Sequence, residues 1–94
     1  MPDLTARERS FLKARAHPLE PIVSIGQDGV TEAVLKEIDR ALTAHELIKV
    51  RANAGDRAAR RALLDTICAQ TGAAAVQQVG KVLVLWRPRP LDAA

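Results

Sequence analysis

The stretch with the clearest chemical potential holds two glycines three residues apart, in Gly26-Gln27-Asp28-Gly29. Glycine has no Cβ and tolerates positive φ, so a phosphate or sugar can come within hydrogen-bonding distance of the backbone N–H groups. One class of RNA-binding module uses such a GxxG loop to clamp the nucleic-acid backbone. The same spacing also occurs in ordinary tight turns, so the loop alone leaves both interpretations open.

The residues on either side of this loop predict where it lies in the fold. The β-branched run Ile22–Ile25 precedes the loop, and an amphipathic helical pattern follows it, with Thr31 as the candidate N-cap. A helix N-terminus offers unpaired N–H donors and a partial positive charge, which both favour an anion. The carboxylate of Asp28 would repel a phosphate unless it pointed away or capped the helix.

Basic side chains are the second candidate component of a nucleic-acid surface. Arg57, Arg60 and Arg61 fall within the first turn and a half of a predicted helix. The net charge of +3 permits an anionic partner without requiring one. Spacing alone is compatible with a clustered or a scattered set of cations. The other basic candidates are Lys13 and Arg15 near the end of the first helix, and Lys49 and Arg51 on the polar face of the second strand.

Patterns typical of catalysis and metal binding are missing from the sequence. There is no GxxxxGK[ST], CxxC or HExxH, and neither serine has a Ser-His-Asp context. His17 and His45 fall at helix ends, where capping or local hydrogen bonding is the simple interpretation. Cys68 falls on an apolar helical stripe and is best interpreted as a small core residue. We therefore predict no enzymatic activity, no cofactor and no metal site.

Length and composition predict one domain spanning residues 1–94, with a structured core at 5–88 and a loose tail at 89–94. No run of eighteen apolar residues is present, and the N-terminal residues lack the apolar segment of a secretory signal. The single cysteine excludes an internal disulfide and favours a cytoplasmic location. Aromatic residues make up only 2% of the chain, which argues against a platform that stacks bases.

Hydrophobic periodicity and turn residues predict the element order α-β-α-β-α-β-β. A capping box at Thr5–Glu8 begins the first helix, Asp56 caps the third, and Gly72 ends it. Gly80-Lys81 suits a hairpin turn between the last two strands. The fold class is α/β, of the two-layer α+β kind, with three helices and a four-stranded mixed sheet that has one partly open face. The predicted strands are Ile22–Ile25, Leu47–Ala52, Ala74–Val79 and Val82–Trp86.

Three segments resemble the CRM domain, the chloroplast RNA splicing and ribosome maturation domain, and above all its stand-alone bacterial YhbY-type form. They read LKARAHPLEPIVSIGQDGVT (12–31), EIDRALTAHELIKV (37–50) and GKVLVLWRP (80–88). The motifs AHPL, IGxxG[LV]T and HELIKV, in this order, are quite specific, and the likeness extends over about residues 5 to 88. This resemblance favours the functional interpretation of the glycine pair over the simple turn.

The resemblance implies a fold like the C-terminal domain of bacterial translation initiation factor 3. It also implies that the chain binds ribosomal RNA in precursors of the large subunit. We further expect a cytoplasmic monomer with no membrane partner. Lys13 and Lys49 match lysines of the family. The alternative is a protein–protein adaptor that contacts ribosomal particles through its half-polar sheet face. The predicted RNA-binding residues are Gly26, Gln27, Asp28, Gly29, Thr31, Lys13, Arg15, Lys49, Arg51, Arg57, Arg60 and Arg61.

Overall fold

A computed structural model describes residues 3–89 of the chain. Its element order is the predicted one, and the predicted fold class of three helices with a four-stranded mixed sheet is confirmed. Of the predicted loose tail, only Arg89 falls within the described residues. The elements are α1 (Ala6–Ala16), β1 (Pro21–Ile25), α2 (Glu32–His45), β2 (Leu47–Ala52), α3 (Arg57–Thr71), β3 (Ala74–Val79) and β4 (Val82–Trp86).

The sheet has the strand order β1-β2-β4-β3. The α2 crossover makes β1 parallel to β2, and β4 runs antiparallel to both β2 and β3. Strand β4 has the sequence VLVLW, which is apolar throughout because this strand is central and covered on both sides. Gly80, with φ +56, supplies the positive φ that the β3–β4 turn needs.

Three connections meet at one end of the sheet, which we call the loop end. The backbone N–H of Asn53 donates to the carbonyl oxygen of Ile25 at 3.0 Å, and that of Ala52 donates to Lys81 at 2.7 Å. These bonds hold together the chain that leaves β1, the chain that leaves β2 and the β3–β4 turn. The N-termini of α2 and α3 follow directly from the first two connections. The opposite end, where α2 and α3 finish, is called the far end.

Helices cover both faces of the sheet. On one face α2 and α3 bury Ile38, Leu42, Leu64 and Ile67 against alternate residues of β1, β2 and β4. On the other face α1 buries Leu12 and Ala16 against the remaining strand positions, Val76 and Val84 among them. The chain thus has a partial third layer that the predicted two-layer arrangement lacked, because the apolar side of α1 needs cover of its own.

The partly open sheet face is therefore confined to β1 and the adjoining end of β2. Helix α1 contacts β2, β3 and β4, while Ile22 and Ser24 of β1 and Arg51 of β2 are exposed on that side. A bulge at Ile22 shifts the register between β1 and β2. Among residues 3–89, no helix is both long enough and apolar enough to cross a bilayer.

Side chains at the helix starts explain why the elements begin where they do. Thr5 makes the predicted capping box with Glu8, and Thr31 and Asp56 each accept a backbone N–H from three residues further on. Gly72 ends α3 in the left-handed conformation, as predicted from its position. Local signals therefore position the two helix N-termini that lie at the loop end.

Candidate nucleic-acid interface

Residues 26–29, which we call the glycine loop, form an open turn at the loop end. The N–H of Gly29 donates to the carbonyl oxygen of Gly26 at 3.1 Å and closes the turn. Gly26, Gln27 and Asp28 are exposed, and a Cβ built at either glycine would meet no heavy atom within 4 Å. Gly29 has φ +73, a backbone conformation that residues with a Cβ rarely adopt. Gly26 has no positive φ and does not require glycine for its backbone conformation.

The glycine loop leads into a helix start with unpaired donors. The Thr31 hydroxyl accepts the N–H of Val34 at 3.1 Å, and the carbonyl of Thr31 accepts that of Leu35. Within the described part of the chain, the N–H groups of Gln27 and Asp28 and those of the first two residues of α2 donate to no protein acceptor. Such donors beside a positive helix end suit a phosphate oxygen.

Asp28 does not cap α2, because Thr31 occupies the N-cap position. Across residues 3–89, the Asp28 carboxylate makes neither a side-chain hydrogen bond nor an ion pair, and it is exposed. A phosphate at the loop was expected to require that this carboxylate either caps the helix or points away from the loop backbone. Capping is excluded, so the second arrangement is left.

The three arginines at the start of α3 have different surroundings. Arg60 lies along the protein surface, where its Nε donates to the carbonyl oxygen of Gly80 at 3.0 Å and its Nη1 to that of Gly55 at 2.6 Å. Arg61 lies 3.3 Å from the Asp65 carboxylate. The Arg57 guanidinium is exposed and pairs with no carboxylate of residues 3–89. Arg57 and Arg61 thus face solvent, whereas Arg60 joins two turns of the backbone.

The remaining basic candidates are spread over the molecule. Arg51 is exposed near the loop end of β2, on the face that carries α1. The Nζ of Lys49 donates to the carbonyl oxygen of His17 at 3.1 Å and so holds the end of α1. Arg15 stacks 5.7 Å from the centre of the Phe11 ring and lines a groove with His45 and Leu47 at the far end. Arg15 therefore lies apart from the glycine loop.

Lys13 lines a different cleft, at the β3 edge of the sheet. This cleft has a volume of about 680 Å³, and we call it the edge cleft. Two glutamines of β3, which are not among the predicted RNA-binding residues, line part of it. The signal for them was two consecutive amides in an otherwise apolar strand. The side chains that line the edge cleft are Lys13, Arg57, Ala58, Arg61, Gln77 and Gln78.

The two arginines after β4 bond other parts of the fold at the far end. Arg87 is the centre of four hydrogen bonds: Nη1 donates to the Asp39 carboxylate at 2.6 Å and to Thr71 O at 2.8 Å. Its Nη2 donates to Asp39 O at 3.1 Å and to the Thr43 hydroxyl at 2.9 Å. Arg89 donates to the carbonyl oxygen of Ala44 at 2.6 Å.

The one cysteine has no reactive character. Cys68 is buried within the main core, as its position on an apolar stripe predicted. Burial, and then the nearby Asp65 carboxylate, raise the pKa of the Cys68 thiol to about 11. The thiol is therefore protonated at neutral pH, and its thiolate, the nucleophilic form, is negligible.

These features define a class of small α+β domain in which a GxxG loop joins an edge strand to an open helix N-terminus beside exposed arginines. The chain belongs to the CRS1/YhbY (CRM) domain family, because that family's model matches residues 4–87. The family predicted from the three sequence segments is thus confirmed.

Relatives from several organisms agree with this assignment. An RNA-binding protein of Haemophilus influenzae is 46% identical over 88 residues, which cover 94% of this chain and 89% of the relative. A probable RNA-binding protein of Pseudomonas aeruginosa is 42% identical over 93% of this chain and 84% of its own length. The solution structure of a hypothetical protein from Staphylococcus aureus superposes with a TM-score of 0.85 at 31% identity, covering 96% of this chain and 94% of that one.

Proposed function

We propose that this chain is a non-enzymatic RNA-binding protein that contacts ribosomal RNA during assembly of the large ribosomal subunit. The observation that carries the RNA contact is the glycine loop, exposed and free of side-chain obstruction, directly before a helix whose first N–H groups are unpaired. The relatives described above as RNA-binding proteins support the same activity. The ribosomal target is supported by the resemblance to YhbY-type CRM proteins.

The loop binds the sugar–phosphate backbone through main-chain donors. Gly26 and Gly29 let a phosphate oxygen approach the N–H groups of Gln27 and Asp28, and Thr31 holds α2 so that its dipole points at the same place. Contacts to backbone phosphates carry no base identity, so recognition depends on the shape of the RNA.

Charge near the loop end supports an anionic partner. The Asp56 carboxylate caps the N-terminus of α3, and the first turn that follows contains arginine and no further acidic residue. In this proposal Lys13, Arg51, Arg57 and Arg61 attract RNA directly and Arg15 contacts it at its margin. Lys49 and Arg60, whose side chains are bonded to carbonyl oxygens, position the surface.

The adaptor alternative has less surface available than the sequence indicated. Its predicted contact was the half-polar sheet face, and α1 lies against β2, β3 and β4 on that face. Nuclease treatment of isolated ribosomal particles separates the two functions. An adaptor stays on the particle proteins after the RNA is digested, whereas an RNA-binding protein is released.

Substitution of Gly26 tests the loop directly. Gly26→Leu places a side chain where the phosphate would lie, at a residue whose φ needs no glycine and whose Cβ has open space. We expect RNA affinity to fall at least tenfold, roughly 1.4 kcal/mol, with the free energy of unfolding changed by less than about 0.5 kcal/mol. Gly29→Leu is a poorer test, because φ +73 strains any other residue.

The matched control is Ala69→Leu, which adds the same bulk to an exposed position in the last turns of α3. Affinity is measured by titration against a fragment of large-subunit ribosomal RNA at several salt concentrations. A folded Gly26→Leu protein with wild-type affinity would exclude the loop from the mechanism. Crosslinking in cells tests the target: enrichment on large-subunit ribosomal RNA supports it, and scattered contacts on messenger RNA would contradict it.

A further inference from the structure

The edge cleft lies outside the glycine loop and gathers cations from both faces of the sheet. Lys13 comes from α1 on one face, and Arg57 and Arg61 come from α3 on the other. Strand β3 lies at the edge of the sheet, so side chains of both helices extend past it and border an open cleft of about 680 Å³. Gln77 and Gln78 line the cleft between them.

The lining of the edge cleft is basic and contains no carboxylate among the described residues. Lys13 and Arg57 form no ion pair within residues 3–89. Arg61 has Asp65 at 3.3 Å, but both side chains are about three-fifths exposed, and an exposed pair of this kind is weak enough to exchange for a phosphate. Like charges held this close in a concave site attract polyanions.

A peptide strand does not fit this edge. Nη1 of Arg9 donates to the carbonyl oxygens of Ala75 and Val76, so backbone acceptors in the first half of β3 are already engaged. A bulge between Ala75 and Gln77 also breaks the regular spacing of the edge. The partner of the cleft is therefore one that binds through charge and side-chain amides rather than through strand pairing.

The placement of the cations favours a single strand over a duplex. They come from helices on opposite faces of the sheet, and a rigid duplex resting on one face would not follow them round the β3 edge. A flexible strand can bend round this edge and place successive phosphates near both sets of cations. The Gln77 side chain makes no hydrogen bond within residues 3–89, so its amide is free to donate to and accept from a base edge.

We propose that the edge cleft binds a single-stranded segment of the same RNA that the glycine loop contacts. This inference rests on the proposed function. Arg57 begins α3 just after the turn that Asn53 ties to the end of β1, so loop and cleft are joined along the loop end. Strands β1 and β3 are three spacings apart, on the order of 14 Å, which a few nucleotides span. One RNA chain thus contacts both sites.

The test compares the double variant Lys13→Gln/Arg57→Gln with the control Arg7→Gln/Arg40→Gln, which removes the same charge from exposed positions outside the cleft. The probes are a ribosomal RNA hairpin with a single-stranded extension and the same hairpin without it. We expect the cleft variant to bind the extended probe on the order of ten- to thirtyfold more weakly at 0.1 M salt. The slope of log K against log salt should fall by about 1.4, for two phosphate contacts on a single strand. The control should stay within about threefold.

Each other outcome overturns a defined part of the idea. If the cleft variant keeps wild-type affinity while Gly26→Leu loses it, the cleft is refuted and the proposed function stands. If the cleft variant loses equal affinity for both probes, the cleft does not hold a single-stranded extension. If the wild-type protein binds neither probe, the proposed function fails together with the cleft.

Discussion

The two arginines that follow β4 and the two exposed arginines of α3 have different uses at the two ends of this sheet. At the far end Arg87 and Arg89 donate to carbonyl oxygens of Thr71 and Ala44, in the last turns of α3 and α2, where the helix dipoles are negative. At the loop end Arg57 and Arg61 of α3 face solvent, and the N–H groups of the glycine loop are open. Arg87 and Arg89 thus satisfy carbonyl groups at the far end, whereas the loop end leaves the N–H groups of Gln27 and Asp28 available to an anion.

The largest expected effect tests the far end. Arg87→Gln removes a charged centre of four hydrogen bonds on a side chain that is 21% exposed, and leaves Thr71 O without its charged donor. We expect a loss of about 2–3 kcal/mol in the free energy of unfolding, measured by urea titration, with RNA affinity unchanged below the transition. Arg89→Gln, at a more exposed pair, is the milder control. A loss below about 0.5 kcal/mol for Arg87→Gln would mean that the far end is not held by this residue.

Two neighbouring arginines sharpen the comparison within the loop end itself. Arg60→Gln loses two bonds to carbonyl oxygens, and we expect about 1–2 kcal/mol lower stability. Arg57→Gln loses no side-chain bond within residues 3–89, and its stability should change by less than about 0.5 kcal/mol while RNA affinity falls. Urea titration and RNA titration on both variants provide the check. Equal losses of stability in the two variants would contradict the different roles assigned to Arg60 and Arg57.

Asp28 is expected to limit affinity at the glycine loop. Asp28→Asn removes an exposed carboxylate that neither caps α2 nor pairs with a cation of residues 3–89. RNA binding should tighten about three- to fivefold at 0.1 M salt, because one repulsion is removed. Glu37→Gln makes the same charge change on an exposed side of α2 and should have no such effect. Equal gains in both variants would indicate net charge rather than the loop.

The smallest effect concerns backbone strain at the far end. Glu46 follows α2 with φ +66 and ψ −48, a conformation that only glycine adopts at little cost. Glu46→Gly relieves this strain but loses the exposed pair with Arg89, so we expect a net gain of about 0.5 kcal/mol in stability. Thermal unfolding measures it, and RNA binding should not change. A clear loss of stability would show that the Arg89 pair outweighs the strain.

The sequence predicted the elements well because their boundaries depend on local chemistry. Thr31, Asp56 and Gly72 act within three or four residues of their own positions, where a sequence pattern is informative. The glycine loop was predicted from a local pattern too, namely two glycines between a β-branched run and an amphipathic helical pattern. The predicted set of RNA contacts stays a prediction, although the structure places its members in several surroundings.

The sequence pattern could not predict which side chains bond to residues far away in the chain. The side chain of Arg60 bonds a residue twenty positions away, and that of Arg87 bonds Asp39 at a separation of forty-eight. Nothing in the local sequence of either arginine distinguishes it from exposed Arg57. Which sheet face α1 covers also depends on the assembled sheet, so Lys13 could not be placed at the β3 edge beforehand.

The two bonds of Arg60 have a consequence for the energetics of association. By joining the turn before α3 to the β-hairpin, they make these two segments one rigid unit before any ligand arrives. A polynucleotide then docks onto a preorganised cradle and does not have to freeze a disordered one, so less conformational entropy is lost on complex formation. The heat-capacity change on binding, readable by calorimetry at several temperatures, should accordingly be small.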